Sequence, residues 1–190
     1  MAQQAWLDGR GLAAFAGGAV LALLASRLLP PLAAQSYGMA RAKAGSDPFE
    51  ALARDHRLVL ATLDKMIATP RQATAKRASL LLHVKRSLTA HALAEEDVVY
   101  PLLHDQAHAP EEARHLYSEH ADIKMHLHTL EQMPKDDPAW VGIARSLRDL
   151  VSDHARQEES VEFPRLRKLL DRQAMAQVSG QVSREKAMVL

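Results

Sequence analysis

The sequence predicts an all-α protein: an antiparallel, up-down-up-down four-helix bundle with an N-terminal apolar helix and a C-terminal tail helix. Three observations lead there. Apolar residues recur at three-four spacing over four stretches, each long enough for a helix of roughly 20–30 residues. The breaks between them (TPRQATA, HAPEE, MPKDDPAW) are short, which makes successive helices antiparallel neighbours. Alanine and leucine abound while aromatics are only 4%, a balance that favours helix over sheet.

Residues 1–45 are a different material from the rest. Gly11 to Ser26 reads GLAAFAGGAVLALLAS without a charge, and as a helix it would be roughly 24 Å long. Ala14, Gly18, Ala22 and Ser26 recur every four residues, a small-residue stripe that suits close helix–helix approach and a homo-oligomer. Three readings stay open. The segment is a membrane anchor, a cleaved signal peptide, or an apolar helix for self-association in a soluble cytoplasmic protein. As an anchor, Arg27, Arg41 and Lys43 outnumber Arg10 and place the bundle on the cytoplasmic side of a bacterial inner membrane. GMARAKAGS then reads as a linker.

Residues 46–170 carry the bundle. Asp47 is placed to cap the first helix, with Pro48 at its first position and Glu50 as capping-box partner. The first stripe is Phe49, Leu52, His56, Val59, Leu63 and Met66. The second is Leu81, Val84, Leu88, His91, Glu95, Val98 and Leu102. Pro110 opens the third helix, with Ala113, Leu116, His120, Ile123, Leu127 and Leu130. The fourth stripe is Trp140, Ile143, Leu147, Val151, His154, Glu158 and Val161. Residues 171–190 are weakly periodic and read as a further helix or a frayed tail.

Composition excludes several functions. A net charge of +1 offers no basic field to nucleic acid. The chain has no cysteine, so disulfides, thiolate nucleophiles, Fe–S clusters and cysteine-held zinc are ruled out. Any metal must be held by nitrogen and oxygen.

Four histidines and two glutamates interrupt the apolar stripes in a repeated order. Each odd helix carries one histidine after an acid (Asp55–His56, Glu119–His120), and each even helix a histidine and a glutamate four residues on (His91/Glu95, His154/Glu158). An i, i+4 pair shares one helix face. A buried carboxylate without a partner costs several kcal/mol or must take a proton. A buried hydrogen-bonded network would satisfy these groups, and so would metal ions, to which imidazoles offer nitrogen and carboxylates a bridge.

The pattern H…HxxxE…H…HxxxE, with the echoed EEDVVYP and EESVEFP, resembles the hemerythrin-like HHE cation-binding family over about residues 47–170. That resemblance implies two non-haem irons in the bundle centre, joined by an oxide or hydroxide. His56 and His91 would hold one iron, His120 and His154 the other, with Glu95 and Glu158 bridging. It also implies binding or sensing of O2 or a related molecule such as peroxide or nitric oxide. The alternatives are a di-iron oxidoreductase, acting on ferrous iron or peroxide, and a membrane-anchored scaffold with structural iron. Nitrogen and oxygen ligands alone leave Mn and Zn open. Two departures stand out: Lys124 occupies the place where oxygen-carrying hemerythrins have a further histidine, and the last carboxylate is Glu158 where those carriers place an aspartate one residue later. Six protein ligands make a more open site than seven, which leaves room for redox turnover.

Other residues carry quieter expectations. Glu96 and Glu159, next to the bridging glutamates, read as bundle-edge acids or as supports of the ligands. Tyr117, one turn before His120, reads as packed or hydrogen-bonded within the pocket. Asp55 and Glu119 lie about 100° round their helices from the histidines they precede. Pro101 and Pro164 each remove a helix hydrogen bond shortly after a bridging glutamate.

Overall fold

The computed structural model describes residues 29–42 and 46–189, and every regular element within them is helical. Asp47 begins the bundle as expected, its side chain accepting the Phe49 N–H at 2.8 Å with Pro48 at the first helical position. Glu50 does not close a capping box. It pairs instead with Arg57 at 2.8 Å, because a guanidinium two turns along the same face outcompetes a neutral N–H.

The chain then runs through α2 (Pro48–Ile67), α3 (Thr74–Ala94), α4 (Tyr100–Asp105), α5 (Pro110–Gln132), α6 (Trp140–Gln157), α7 (Phe163–Leu169) and α8 (Arg172–Ala187). The described helix before them, residues 29–42, is α1. Two five-residue π turns, Glu95–Val99 and Glu158–Glu162, join α3 to α4 and α6 to α7. Contacts close a ring of four long helices: α2 lies against α3 and α6, and α5 against α6 and α3. Short connections make α2/α3 and α5/α6 antiparallel pairs. One end of the ring is tied by Arg77, whose buried guanidinium donates to the Thr69 and Lys135 carbonyls and lies 4.8 Å from the Trp140 ring centroid.

The apolar interior is in two blocks. One gathers Phe49, Leu52, Val98, Val99, Leu103, Leu116, Phe163 and Leu166; the other gathers Val59, Leu63, Leu88, Ile123, Leu127, Trp140, Leu147 and Val151. α2, α3 and α5 each pass from one block to the other, and α6 does so through its π turn and α7; between the blocks the long helices contribute the histidines and the π turns the glutamates singled out above. The polar layer therefore sits inside the bundle with apolar packing above and below.

The structure revises two expectations and gives the tail as the helix of the two alternatives. Residues 38–42, taken as linker, continue α1, which crosses α8 closely: Ser179 Oγ donates to the Gly38 carbonyl at 2.9 Å, and a Cβ at Gly180 would meet Met39 and Gln35. Val161, taken as core, is 43% exposed, and Glu162 beside it is buried, because the π turn shifts the phase of the stripe. The tail is an ordered helix, capped by Asp171 through the Ala174 N–H at 2.8 Å. Among the described residues no helix is long and apolar enough to cross a membrane. The apolar run at 11–26 and its small-residue stripe lie outside the described residues.

Candidate metal centre

The π turns place the site. In an α-helix, a residue five positions on points about 140° away from its starting face. The π turns instead bring the Tyr100 N–H to the Glu95 carbonyl and the Phe163 N–H to the Glu158 carbonyl, so i+5 stacks over i. Glu95 and Tyr100 thus both face inward, as do Glu158 and Phe163, and all four are buried. Such turns are frequent at functional sites. The prolines fit this arrangement. Pro101 has no N–H to offer the Glu96 carbonyl, and Tyr117 Oη supplies the missing donor at 2.7 Å. Tyr117 is neither packed in the core nor bonded to a ligand side chain: it is 42% exposed and secures the backbone beside Glu95.

All six expected ligands meet in one buried layer. The His56 and His91 Nε2 atoms are 2.7 Å apart, and those of His120 and His154 3.2 Å apart. Glu95 reaches both pairs, with Oε1 at 3.0 Å from His91 Nε2 and Oε2 at 3.4 Å from His120 Nε2. Glu158 Oε2 lies 3.3 Å from His56 Nε2 and 3.5 Å from His154 Nε2. His56, Glu95, His154 and Glu158 present ligand atoms all within 4.8 Å of one another.

Three of the four outward nitrogens are hydrogen-bonded to carboxylates. His56 Nδ1 is 2.9 Å from Glu159, His120 Nδ1 2.8 Å from Glu96, and His154 Nδ1 2.9 Å from Glu119. Asp55 stands 3.6 Å from His91 Nδ1. A carboxylate hydrogen-bonded behind an imidazole, as at His56, His120 and His154, fixes the tautomer that leaves Nε2 free to bind a cation. Glu96 and Glu159 each hydrogen-bond a histidine of the layer. Asp55 and Glu119 face histidines on the following helix instead of the ones they precede, and of the two only Glu119 closes the hydrogen bond.

Sequence reasoning missed Tyr100. Its hydroxyl donates to Glu158 Oε1 at 3.0 Å and lies 2.9 Å from His120 Nε2. Burial and the charges of Glu158 and Glu95 hold its phenol well above the usual range. The signal was present in the echo of VVYP by VEFP, where Tyr100 answers Phe163. Phe163 lacks the hydroxyl and lies parallel to His56, ring centroids 6.2 Å apart.

The charges are balanced among themselves. Burial pushes Glu95 up, but His91, His120 and His56 hold it well below the ordinary carboxylate range. Against the opposing effect of burial, Glu95 and Asp55 raise His91 to about 10, and Glu95 and Glu96 raise His120 to about 9. Even so, both Glu95 oxygens and Glu158 Oε2 are buried without accepting a hydrogen bond. Unsatisfied oxygens of this kind are rare and costly. Together with four inward nitrogens, they fit a divalent cation held by nitrogen and oxygen donors. Lys124, in the place of the carriers' further histidine, bonds Glu96 at 2.6 Å and adds no ligand.

Comparison with known proteins agrees with this geometry. A DNA nickase of Nostoc sp. is 31% identical over 106 residues, 56% of this chain but only 30% of the nickase. The crystal structure of a hemerythrin HHE cation binding domain-containing protein from Mycobacterium kansasii shares the fold, with TM-score 0.65 and 20% identity over 76% of this chain and 88% of that one. The profile of the hemerythrin HHE cation binding domain matches residues 47–166, which contain every residue of the buried His/Glu layer. This chain belongs to the hemerythrin HHE cation binding domain family.

Proposed function

We propose that the layer holds two non-haem irons, one on His56 and His91 and one on His120 and His154. Glu95 and Glu158 would span both, and the centre binds O2 or a related small molecule such as peroxide or nitric oxide. The observation that carries this reading is the pairing of four inward Nε2 atoms across two carboxylates whose free oxygens face both pairs. Ferrous iron, when bound, supplies the electrons and the open coordination position that such a ligand needs.

The chain's own residues do the rest. A cavity of about 140 Å³ adjoins the histidines, walled by Leu88, Ile123, Leu127 and Val151. Its lining is mostly apolar, with the paired Glu96 and Lys124 as charged exceptions, which suits a small uncharged ligand. Tyr100 keeps its proton and can donate it at the Glu158 side of the layer. Six donors, with Lys124 turned to Glu96, leave more room for exchange than seven. The nickase activity of the Nostoc protein is outside this reading, since the shared segment is under a third of that chain and +1 net charge gives no field for a phosphate backbone.

An oxygen titration of the anaerobic, ferrous-loaded full chain tests it. A visible band that forms and vanishes on degassing marks reversible binding. Irreversible conversion to a ferric spectrum marks redox turnover. No iron-dependent change sinks the di-iron reading.

Loading itself has a proton signature. In the metal-free protein His91 and His120 stay protonated up to about 10 and about 9, and iron must displace those protons. Affinity therefore rises with pH through that range, and loading at pH 7 acidifies a weakly buffered solution by about two protons per chain. A pH electrode reads the release; none would mean that the imidazoles were already neutral.

A further inference from the structure

Three of the four carboxylates behind the imidazoles are glutamates, and these stand 2.8–2.9 Å from their Nδ1 atoms. The fourth, Asp55, stands 3.6 Å away, beyond hydrogen-bond reach, and His91 Nδ1 is buried with no hydrogen bond. The Asp55 oxygen nearest His91, Oδ2, also accepts from Lys186 Nζ of α8. Sharing with a lysine does not by itself prevent support. Glu96 Oε1 serves Lys124 at 2.6 Å and His120 at 2.8 Å together. Asp55 is one methylene shorter and, held by Lys186, does not span both partners.

The element carrying Lys186 lies beyond the family match, which ends at residue 166. It is nevertheless built into the bundle. Val178 and Val182 of α8 belong to the core block around Phe49 and Phe163, and α8 lies against α3, α2 and the π turn of Glu95. α1 in turn rests on α8 through Gly38, Ser179 and Gly180.

We propose that Lys186 is a positioning residue that holds Asp55 away from His91, so that docking of α8 weakens one of the two metal half-sites. This rests on the two-metal reading above. A second-sphere hydrogen bond raises the basicity of a ligating imidazole and fixes its ring. His91 lacks that bond while α8 is docked and gains it when Lys186 lets go. The linkage is reciprocal: metal on His91 favours release of Lys186, and whatever pins α1 and α8 in place lowers affinity there.

Anaerobic ferrous titration of the full chain, wild type against Lys186→Met and Asp55→Glu, tests this. The methionine keeps the aliphatic stem and removes the cation; the glutamate has the reach to serve both partners. Each variant is expected to tighten the weaker of two binding events about tenfold. Lys186→Arg, which keeps the cation, stays at the wild-type value. In the Zn(II)-loaded protein, the His91 Nδ1–H proton resonance, exchanging fast with water in wild type, becomes protected in Lys186→Met. If wild type binds two ions and Lys186→Met is unchanged or weaker, with His91 still exchanging fast, the inference is overturned and the two-metal reading survives. If wild type binds fewer than two ions, both fall.

Discussion

Glu95→Ala is expected, on the proposed di-iron reading, to lower iron affinity by at least about a hundredfold, since loss of a supporting residue alone costs 10–100-fold. Glu95 is the side chain whose two oxygens face different histidine pairs, and neither oxygen has another partner. Glu158→Ala should lose less, because one Glu158 oxygen is already committed to Tyr100. Glu95→Ala also strips His91 and His120 of the charge that helps raise them, so both titrate at lower pH in the variant. Iron content after anaerobic loading, with helicity followed by circular dichroism, measures the effect. A folded Glu95→Ala chain that still carries two irons would falsify the bridging assignment.

Chelation should have the next largest effect. A ligand held at a thousand times its dissociation constant stabilises the folded state by about 4 kcal/mol. For a domain of this size that corresponds to roughly 10 °C in melting temperature. The chelated chain should stay helical below its melting point, because the apolar blocks on either side of the layer do not depend on the ions. Thermal unfolding of the full chain, loaded and chelated, measures the shift. Coincident curves would mean that occupation of the layer is not linked to folding.

The bundle was legible because its stripes are simple. Phe49 to Met66 and Ala113 to Leu130 follow helical spacing without exception, and each of those residues is buried. The six ligand candidates stood out for the same reason, as polar groups on apolar faces. What escaped was whatever depends on a partner distant in the chain or on a change of helical pitch. His56 finds Glu159 and His154 finds Glu119, on other helices, and adjacency in sequence pointed to neither pairing. EEDVV and EESVE look like ordinary helix, so the phase slip that turns Val161 outward was invisible. α8 was faint because its buried face is made of small residues, among them Ala176, Val178, Ser179 and Gly180, with little periodic contrast.

The π turns also make chain length itself a functional variable at two points. Losing one residue in a surface loop merely shortens a connection. Losing one between Glu95 and Tyr100 would relax the turn to regular helix with Tyr100 at i+4, still over Glu95, whereas gaining one would swing everything downstream by about 100°. Tyr100 would then leave Glu158, and the α4 residues that meet α5 would face elsewhere. In the turns an inserted residue should therefore be forbidden, while the loss of one keeps the helical phase. The two short segments EEDVV and EESVE act as the molecule's timing marks, setting when each helix may stop presenting metal ligands and begin packing the far core.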